Sequence, residues 1–390
     1  MKTLRLILFA VFAYLLILQV AVCITGLGFG PKDRADFRQL YAAGYLARSG
    51  QGANLYNYDV EAQVQNRMVS PGPPLPFDHL AYESLLYAPF SLFRYSVAYY
   101  AFAAFNLLLL ITAQQILRPD LLPLEAYGKF LPEGIFFCFF PAAIAVIQGQ
   151  DSILLLLIAV LAYRALEKGR ETRAGLLLSL GLFKFQFILP VVLLFLLWRK
   201  WRVVAGAAVS GLALLGLSTL VAGISGMRAF TGTLVEMSVG LTGLPQQLKF
   251  GTYPSAMPIL RGFINAVAAA RFSAGAIQAT VIVATIALIL VAYWMRPSLD
   301  VAILAAVLAS YHGLIHDSTL LVLPLGIILA RSVREKNQVV GFFALLLFAT
   351  PAILFGVTRG RYFLMAIPVL VLLCLQRNSC RDATPASVSL

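Results

Sequence analysis

The sequence predicts an all-α, polytopic membrane protein, and its composition is the first reason. Of the 390 residues, 60% are hydrophobic and only 12% are charged, whereas a soluble domain carries about 25% charged residues. The mean hydropathy is +0.85. A soluble core cannot hide this much apolar surface, so lipid must be the solvent for most of the chain.

The second reason is a succession of apolar segments, several of them near the length of about 20 residues that crosses a bilayer. We expect about twelve transmembrane or partly re-entrant helices, at residues 5–27, 96–117, 130–148, 152–166, 174–185, 187–198, 203–223, 273–295, 300–313, 318–330, 339–357 and 361–376. The first begins like a signal peptide, but its apolar stretch is longer than a signal core and lacks a clear A-x-A site. We therefore predict an uncleaved first helix.

The third reason is the position of the basic residues. Lys and Arg concentrate in five connections, at 166–173, 198–202, 293–298, 330–338 and 375–382. Cytoplasmic loops of membrane proteins are enriched in these residues, so all five connections and both termini are predicted to lie inside. The same rule accounts for the net charge of +13 without a nucleic-acid partner. The four cysteines lack CxxC spacing and predict neither a disulfide framework nor a metal cluster.

The predicted organisation is one integral membrane domain over residues 1–380, followed by a short cytoplasmic tail at 381–390. Two long loops, at about 28–95 and 224–272, are predicted on the non-cytoplasmic side. No composition shift marks a separate water-soluble domain.

One segment leaves two topologies open. Only 25 residues, 174–198, separate two connections that are both predicted to be cytoplasmic, and two full spans need about 40 residues. Either two short helices enter the membrane and return, or one long tilted helix crosses once. Lys184, in "SLGLFKFQFILPVV", is the only charged residue of this segment. A charge near the bilayer centre costs about 2.5–3.5 kcal/mol on insertion scales, so it usually marks a cavity, a partner or a ligand.

The remaining unusual polar residues map to the same, non-cytoplasmic side as Lys184, and they include all three histidines of the chain. The set comprises Asp33, Asp36, Asp78, His79, Glu83, Gln148, Gln150, Asp151, Lys184, Gln186, Arg261, His312, His316, Asp317, Arg359 and Arg361. Acids, bases and cations that converge on one membrane face indicate a functional site. An anion bound in a cavity open to the outer leaflet would explain Lys184.

Several of these residues have simpler interpretations. Lys184 can snorkel to the outer interface, and Gln150 or Asp151 can cap the helix that follows them. His312 and His316 are four residues apart, on one face if the segment is helical. That spacing suits a metal pair, hydrogen bonds to a phosphate, or packing between helices.

The stretch "ADFRQLYAAGYLARSGQGANLYNYD" has an Asp-Phe pair just after the first span, an aromatic-x-x-Gly helix and then Leu-Tyr. "HLAYESLLYAPFS", the Gly-Gln turn of "GQDSILLLLIAVLAYRALEKGRETRAGLLLSLGLFKFQ" and the "YHGLIHD" block follow in order. Over residues 1 to about 335, the chain resembles glycosyltransferase family 87. These are polyprenyl-phosphate-mannose-dependent mannosyltransferases of the GT-C superfamily.

This resemblance implies a GT-C-like multi-helix fold with its active site at the non-cytoplasmic face. The donor is expected to be a sugar, most naturally mannose, on a polyprenyl phosphate, and the acceptor a lipid or glycan. The family places a catalytic acidic residue in the first outer loop, and Asp36 matches it. A bacterial inner membrane, with the site facing the periplasm, is the location that the resemblance implies.

Roles for the other residues follow from the chemistry of a hexosyltransferase with such a donor. The leaving phosphate needs cations or hydrogen-bond donors, and the acceptor hydroxyl needs a general base. The expected assignments are Asp36 as base with Glu83 and Asp317 in reserve, Lys184, Arg261, His312 and His316 at the donor phosphate, and His79, Gln150, Asp151 and Gln186 at sugar or acceptor hydroxyls. The leaving group carries a single phosphate that protein cations can hold, so we expect no metal and no cofactor.

Two other classes compete with an enzyme. A transporter or flippase of lipid-linked sugars also uses broken helices and charges at membrane depth, but the polar residues here cluster at one face instead of lining a path across the membrane. A purely structural subunit leaves the outer acids and cations unexplained. The sequence therefore favours a glycosyltransferase that works among membrane lipids.

Overall fold

The protein is all-helical throughout residues 2–30, 32–239 and 254–376, which the computed structural model describes. The described residues form seventeen α-helices, joined by loops and short 3-10 turns, and contain no strand. The helices are α1 Lys2–Phe29, α2 Phe37–Arg48, α3 Tyr58–Met68, α4 Ser84–Tyr87, α5 Tyr95–Leu121, α6 Leu131–Phe137, α7 Phe140–Gln148, α8 Ser152–Glu167, α9 Glu171–Ser179, α10 Phe185–Leu197, α11 Trp201–Val239, α12 Leu260–Ala268, α13 Ala274–Tyr293, α14 Leu299–Ala309, α15 Val322–Arg334, α16 Gln338–Thr358 and α17 Ala366–Leu375.

Fewer helices than predicted are long enough to cross a membrane. Each of the twelve predicted segments contains a helix, but among the described residues only six helices have the necessary length and hydropathy, or up to eight if each of two bent pairs counts as one span. α14 and α17 are apolar but too short. The fold is that of a polytopic membrane protein with six to eight candidate spans among the described residues.

The described parts of the two segments predicted as outer loops contain helices, and residues 28–95 and 224–272 keep the names first and second outer loop after their predicted side. The first holds α2, α3 and α4, and α11 continues to Val239, well beyond its predicted end. The chain passes through this long helix with a kink at Gly223, where φ is +68°. A side chain would strain the backbone there, and glycine tolerates it. The predicted cytoplasmic tail at 381–390 lies outside the described residues.

The segment with two possible topologies turns back on itself. α9 and α10 are separated by a sharp break at residues 180–184. At the other end of the segment, Lys200 Nζ lies 3.1 Å from Glu171 Oε1. Because both ends of the segment meet, the alternative with two short helices that enter and return fits the structure. Lys184 lies at the tip of this hairpin.

The hairpin is anchored by α11, which packs along α9 through glycines. A Cβ at Gly175 of α9 would lie 1.9 Å from the carbonyl oxygen of Val203, and one at Gly206 of α11 would lie 2.1 Å from that of Thr172. At the tip, the Tyr82 hydroxyl accepts from the Phe183 amide at 2.8 Å and donates to the Leu180 carbonyl at 3.0 Å. These contacts fix the depth at which Lys184 sits.

The first outer loop is fixed to the helical bundle by aromatic packing. Phe37 at the start of α2 stacks on Phe102 of α5, with ring centroids 4.9 Å apart, and contacts Tyr87 and Tyr95 edge-on or tilted. The buried guanidinium of Arg38 then holds the loop between α3 and α4, donating to the Ser70 carbonyl at 2.7 Å. The outer loop is therefore a packed layer over the membrane helices.

The close approach of α9 and α11 generates a stability prediction. Gly206→Ala forces a methyl group against backbone, where neither helix can yield, so we expect a loss of about 1–3 kcal/mol and a lower melting temperature in detergent. Gly216, also on α11, has nothing within 4 Å of its Cβ position and is the matched control. Gly216→Ala is expected to be neutral or to gain up to about 1 kcal/mol through helix propensity. Equal melting temperatures for the two variants would contradict this packing.

Candidate functional site

The buried ammonium of Lys184 is the centre of the site. Its side chain is 4% exposed, and Nζ lies 2.7 Å from Asp317 Oδ1 and 3.0 Å from Asp151 Oδ1. It also donates to Gln150 Oε1 at 3.2 Å. An ammonium has three N–H donors, so these three acceptors use all of them. Lys184 is paired inside the protein, and the snorkelling interpretation is wrong.

Two of these acceptors, Gln150 and Asp151, lie in the Gly-Gln turn between α7 and α8. α7 is followed by Gly149, whose φ of +61° is left-handed, and a Cβ there would lie 2.6 Å from Cβ of Phe37. Glycine is required both for the turn and for the contact with the outer loop. The Asp151 side chain makes no capping hydrogen bond to α8. The capping interpretation is therefore wrong for Asp151, which points at Lys184 instead.

The carboxylate of Asp317 is held by hydrogen bonds from within the protein. Its Oδ1 accepts from Ser152 Oγ at 3.0 Å in addition to Lys184, and its Oδ2 accepts from the Leu314 amide at 2.9 Å. A carboxylate can accept about four hydrogen bonds. The buried carboxylate of Asp317 already accepts three. Asp317 is poorly placed to collect a proton from an acceptor.

Asp36 lies at the edge of the same network. It is partly exposed at the start of α2, and its Oδ2 accepts from Gln150 Nε2 at 2.8 Å. The Gln150 amide thus touches Asp36 with its nitrogen and Lys184 with its oxygen, while the Gln150 carbonyl accepts from Asn106 at 2.9 Å. Of the carboxylates in contact with this network, Asp36 combines a fixed position with access to solvent.

A second group of charges adjoins Asp151. His79 Nδ1 contacts Glu83 Oε2 closely and lies 3.3 Å from Asp151 Oδ2. His79 Nε2 faces Asp78 at 3.5 Å, and the Tyr87 hydroxyl donates to Glu83 Oε1 at 2.9 Å. The donor atoms of His79, Glu83 and Asp151 all lie within 4.8 Å of one another and are buried, an arrangement that can hold a metal ion.

These contacts set the charge of His79. Burial alone would lower its pKa, but the carboxylates of Glu83 and Asp151 raise the pKa to about 10. Burial raises the pKa of Glu83, and the nearby imidazolium opposes that rise. His79 therefore carries a positive charge at neutral pH, and Glu83 is a buried partner of this charge.

The remaining predicted residues lie on α12, on α10 and in the 3-10 turn that follows α14. Arg261 on α12 donates from Nη1 to the Tyr311 carbonyl at 3.0 Å, and its buried Nε has no hydrogen-bond partner among the described residues. His316 Nε2 lies 3.5 Å from Asp317 Oδ2. Gln186 is half-buried and makes no side-chain hydrogen bond to any described residue.

The prediction that His312 and His316 share a helical face is wrong. α14 ends at Ala309, and the next element is a 3-10 turn that starts at Ile315. Burial lowers the pKa of His312 to about 4, so its imidazole is neutral at pH 7. It can form hydrogen bonds to a phosphate but adds no positive charge.

The structure thus brings most of the predicted residues into one connected network, through contacts that sequence reasoning only partly anticipated. Direct contacts join Asp36, His79, Glu83, Gln150, Asp151, Lys184, His316 and Asp317. Sequence reasoning did not assign a role to three residues that form hydrogen bonds here. Tyr82 bonds to the hairpin tip, Tyr87 to Glu83 and Ser152 to Asp317. Tyrosines near a membrane interface are too common for their pattern to reveal such roles.

Comparison with family models decides the class of protein. The model of glycosyltransferase family 87 matches residues 83–324, more than half of the chain. The chain belongs to glycosyltransferase family 87. It is an integral membrane glycosyltransferase, a transferase of the EC 2.4 class, with a sugar donor and an acceptor as its substrates.

The family match covers the Gly-Gln turn, the hairpin with Lys184, α12 and the segment around Asp317, and it begins after Asp36 and His79. Comparison with curated proteins and with solved structures gave no match. The roles of individual site residues in this family 87 member therefore have to be argued from its own geometry.

The Lys184 network generates a second stability prediction. Lys184→Met leaves two buried carboxylates without their cation, so we expect a loss of about 3–5 kcal/mol, measured as thermal unfolding of the purified protein in detergent. Lys200→Met breaks an ion pair whose lysine side chain is 41% exposed and should cost only about 0–1 kcal/mol.

A matched double variant checks the cause of this loss. Asp317→Asn removes one of the two uncompensated charges, so adding it to Lys184→Met should recover part of the lost stability. If Lys184→Met unfolds no earlier than Lys200→Met, the ammonium is not the electrostatic centre of the site.

Proposed function

We propose that this glycosyltransferase moves a sugar, most naturally mannose, from a polyprenyl-phosphate donor to a lipid or glycan acceptor, with inversion at the anomeric carbon. The observation that carries the proposal is the contact of Asp36 with Gln150, which also binds the buried Lys184. A partly exposed carboxylate is thereby held rigidly beside the charged network of a family 87 enzyme.

Asp36 is the general base in this proposal. Its carboxylate takes the proton of the acceptor hydroxyl as the hydroxyl oxygen attacks the anomeric carbon. The bond from that carbon to the phosphate oxygen breaks, and the polyprenyl phosphate leaves with the electron pair. Asp36 suits the role better than its reserves, because Asp317 is buried and already accepts three hydrogen bonds, and Glu83 is buried against His79.

In this proposal Arg261, and not Lys184, binds the phosphate of the donor. All three N–H groups of Lys184 already have acceptors, whereas the Arg261 Nε has none among the described residues. A guanidinium that keeps a free donor in a buried position is suited to an anionic leaving group. His312 adds a neutral hydrogen-bond donor nearby, and Lys184 balances the carboxylates around it so that they do not repel the phosphate.

The prenyl chain of the donor lies against α10 in this proposal. Leu189, Leu193 and Leu196 are 54%, 42% and 38% exposed, and their spacing places them on one face of the helix. This face starts beside Lys184 at the hairpin tip, so it offers an apolar path from the site into the lipid. The site then faces the outer side of a plasma membrane, which in a bacterium is the periplasm.

The test uses purified protein, a polyprenyl-phosphate [14C]mannose donor and a membrane lipid extract as acceptor. We expect Asp36→Asn to lower the transfer rate by about 100- to 10,000-fold, the usual contribution of a positioned general base. Asp59→Asn is the matched control, because Asp59 lies in the same outer loop, is exposed and has no contact with the site. It should transfer at the wild-type rate.

Other outcomes separate the alternatives. Full transfer by a folded Asp36→Asn variant would contradict the assignment of the base. Transfer from polyprenyl-phosphate glucose but not from mannose would change the donor sugar and leave the mechanism intact. Movement of the labelled donor across proteoliposomes without any transfer would favour a flippase.

A further inference from the structure

We propose that His79, Glu83 and Asp151 form a binding site for a divalent transition-metal ion, Mn²⁺ or Zn²⁺. The site lies where the first outer loop meets the turn between α7 and α8. From the sequence alone we expect no metal, because the leaving group carries a single phosphate. The geometry of these three side chains introduces one, for a reason that is independent of glycosyl transfer.

One pair of donor atoms has the separation that a shared ion produces, and the third atom is close to both. A metal ion holds imidazole nitrogen and carboxylate oxygen at about 2.0–2.2 Å, so two ligands of one ion lie about 3.0–3.4 Å apart. His79 Nδ1 and Asp151 Oδ2 are 3.3 Å apart. Glu83 Oε2 forms a shorter, direct hydrogen bond with the same nitrogen, and a bound ion would replace the proton of that bond. One imidazole nitrogen and two carboxylate oxygens suit Mn²⁺ or Zn²⁺ better than Ca²⁺, which prefers oxygen alone.

One carboxylate oxygen of Asp151 lacks a hydrogen-bond donor and lies between His79 and Glu83. Asp151 is completely buried, and its Oδ2 accepts no hydrogen bond from the described residues. The Nδ1 atom of His79 carries at most one proton, which is directed at Glu83. A buried carboxylate oxygen without a donor is expensive, and a metal ion bound at the centre of the three side chains would satisfy it.

The atoms that face away from the centre are all held by other groups. His79 Nε2 faces Asp78 Oδ1 at 3.5 Å, Glu83 Oε1 accepts from the Tyr87 hydroxyl at 2.9 Å, and Asp151 Oδ1 binds Lys184 at 3.0 Å. Metal ligands are typically oriented in this way, with a carboxylate on the far nitrogen of the histidine. The three ligands are therefore aimed at one point before any ion binds.

The charge balance agrees with a divalent ion. Without an ion, the buried carboxylates of Glu83, Asp151 and Asp317 are opposed by the ammonium of Lys184 and the imidazolium of His79, which leaves one negative charge. A divalent ion with neutral His79 makes this group neutral. The competing occupant is a proton shared by His79 and Glu83, and the test must distinguish the two.

The test measures Mn²⁺ binding to EDTA-stripped protein in detergent, purified without a polyhistidine tag. Pulsed electron paramagnetic resonance detects the nuclear coupling of a coordinated imidazole nitrogen. The chain has only three histidines, so the assignment is direct. We expect one bound Mn²⁺ with a nitrogen coupling that His79→Gln abolishes and His312→Gln, the matched control, retains.

The wild type decides the outcome even if His79→Gln does not fold. In protein labelled with ¹⁵N-histidine, a ¹⁵N coupling must replace the ¹⁴N coupling. In addition, Mn²⁺ or Zn²⁺ must raise the melting temperature more than Ca²⁺ does. Absence of nitrogen coupling in the wild type, or coupling that survives in folded His79→Gln, would overturn the proposal. Because binding is measured without substrates, neither result depends on whether Asp36 is the base.

Discussion

The structure depends on the burial of one ammonium group. Lys184 is nearly inaccessible to solvent and is bound by Asp317, Asp151 and Gln150. These partners come from three separate parts of the chain, so one interaction fixes the mutual positions of the α9–α10 hairpin, the α7–α8 turn and the segment before α15. A buried ion pair is costly to form and more costly to break, so removal of any one partner is expected to disturb all three segments.

The outer loop is built around the same centre. Stacking of Phe37 on Phe102 and the contact of Phe37 with Gly149 bring the start of α2 against the Gly-Gln turn. Asp36 is thereby placed beside Gln150 without being buried. The general base proposed for an inverting transfer needs this combination, because it must be held in position and must still be reached by the acceptor.

Much of this organisation follows from the sequence, and the rest does not for physical reasons. Hydropathy locates the embedded helices, and the isolated charge of Lys184 marks a site, because lipid tolerates neither exposed backbone nor unpaired charge. Hydropathy does not tell a crossing from a re-entrant helix, so the number of full crossings among the twelve apolar segments does not follow from the sequence. Spacing suggested a shared helical face for His312 and His316, but the chain between α14 and the next 3-10 turn is not helical. The pairing of Lys184 with Asp317, 133 residues away, is a long-range contact that no local pattern encodes.

The central claim is that the network around Lys184 and Asp36 is where the sugar is transferred. The most direct measurement is a cryo-electron-microscopy structure of the protein, bound to an antibody fragment, with a phosphonate analogue of polyprenyl-phosphate mannose. The account predicts the phosphonate within hydrogen-bonding distance of Arg261 and the anomeric carbon facing the acceptor side of Asp36. An analogue seated away from this network, for example among the basic loops at the opposite membrane face, would contradict it.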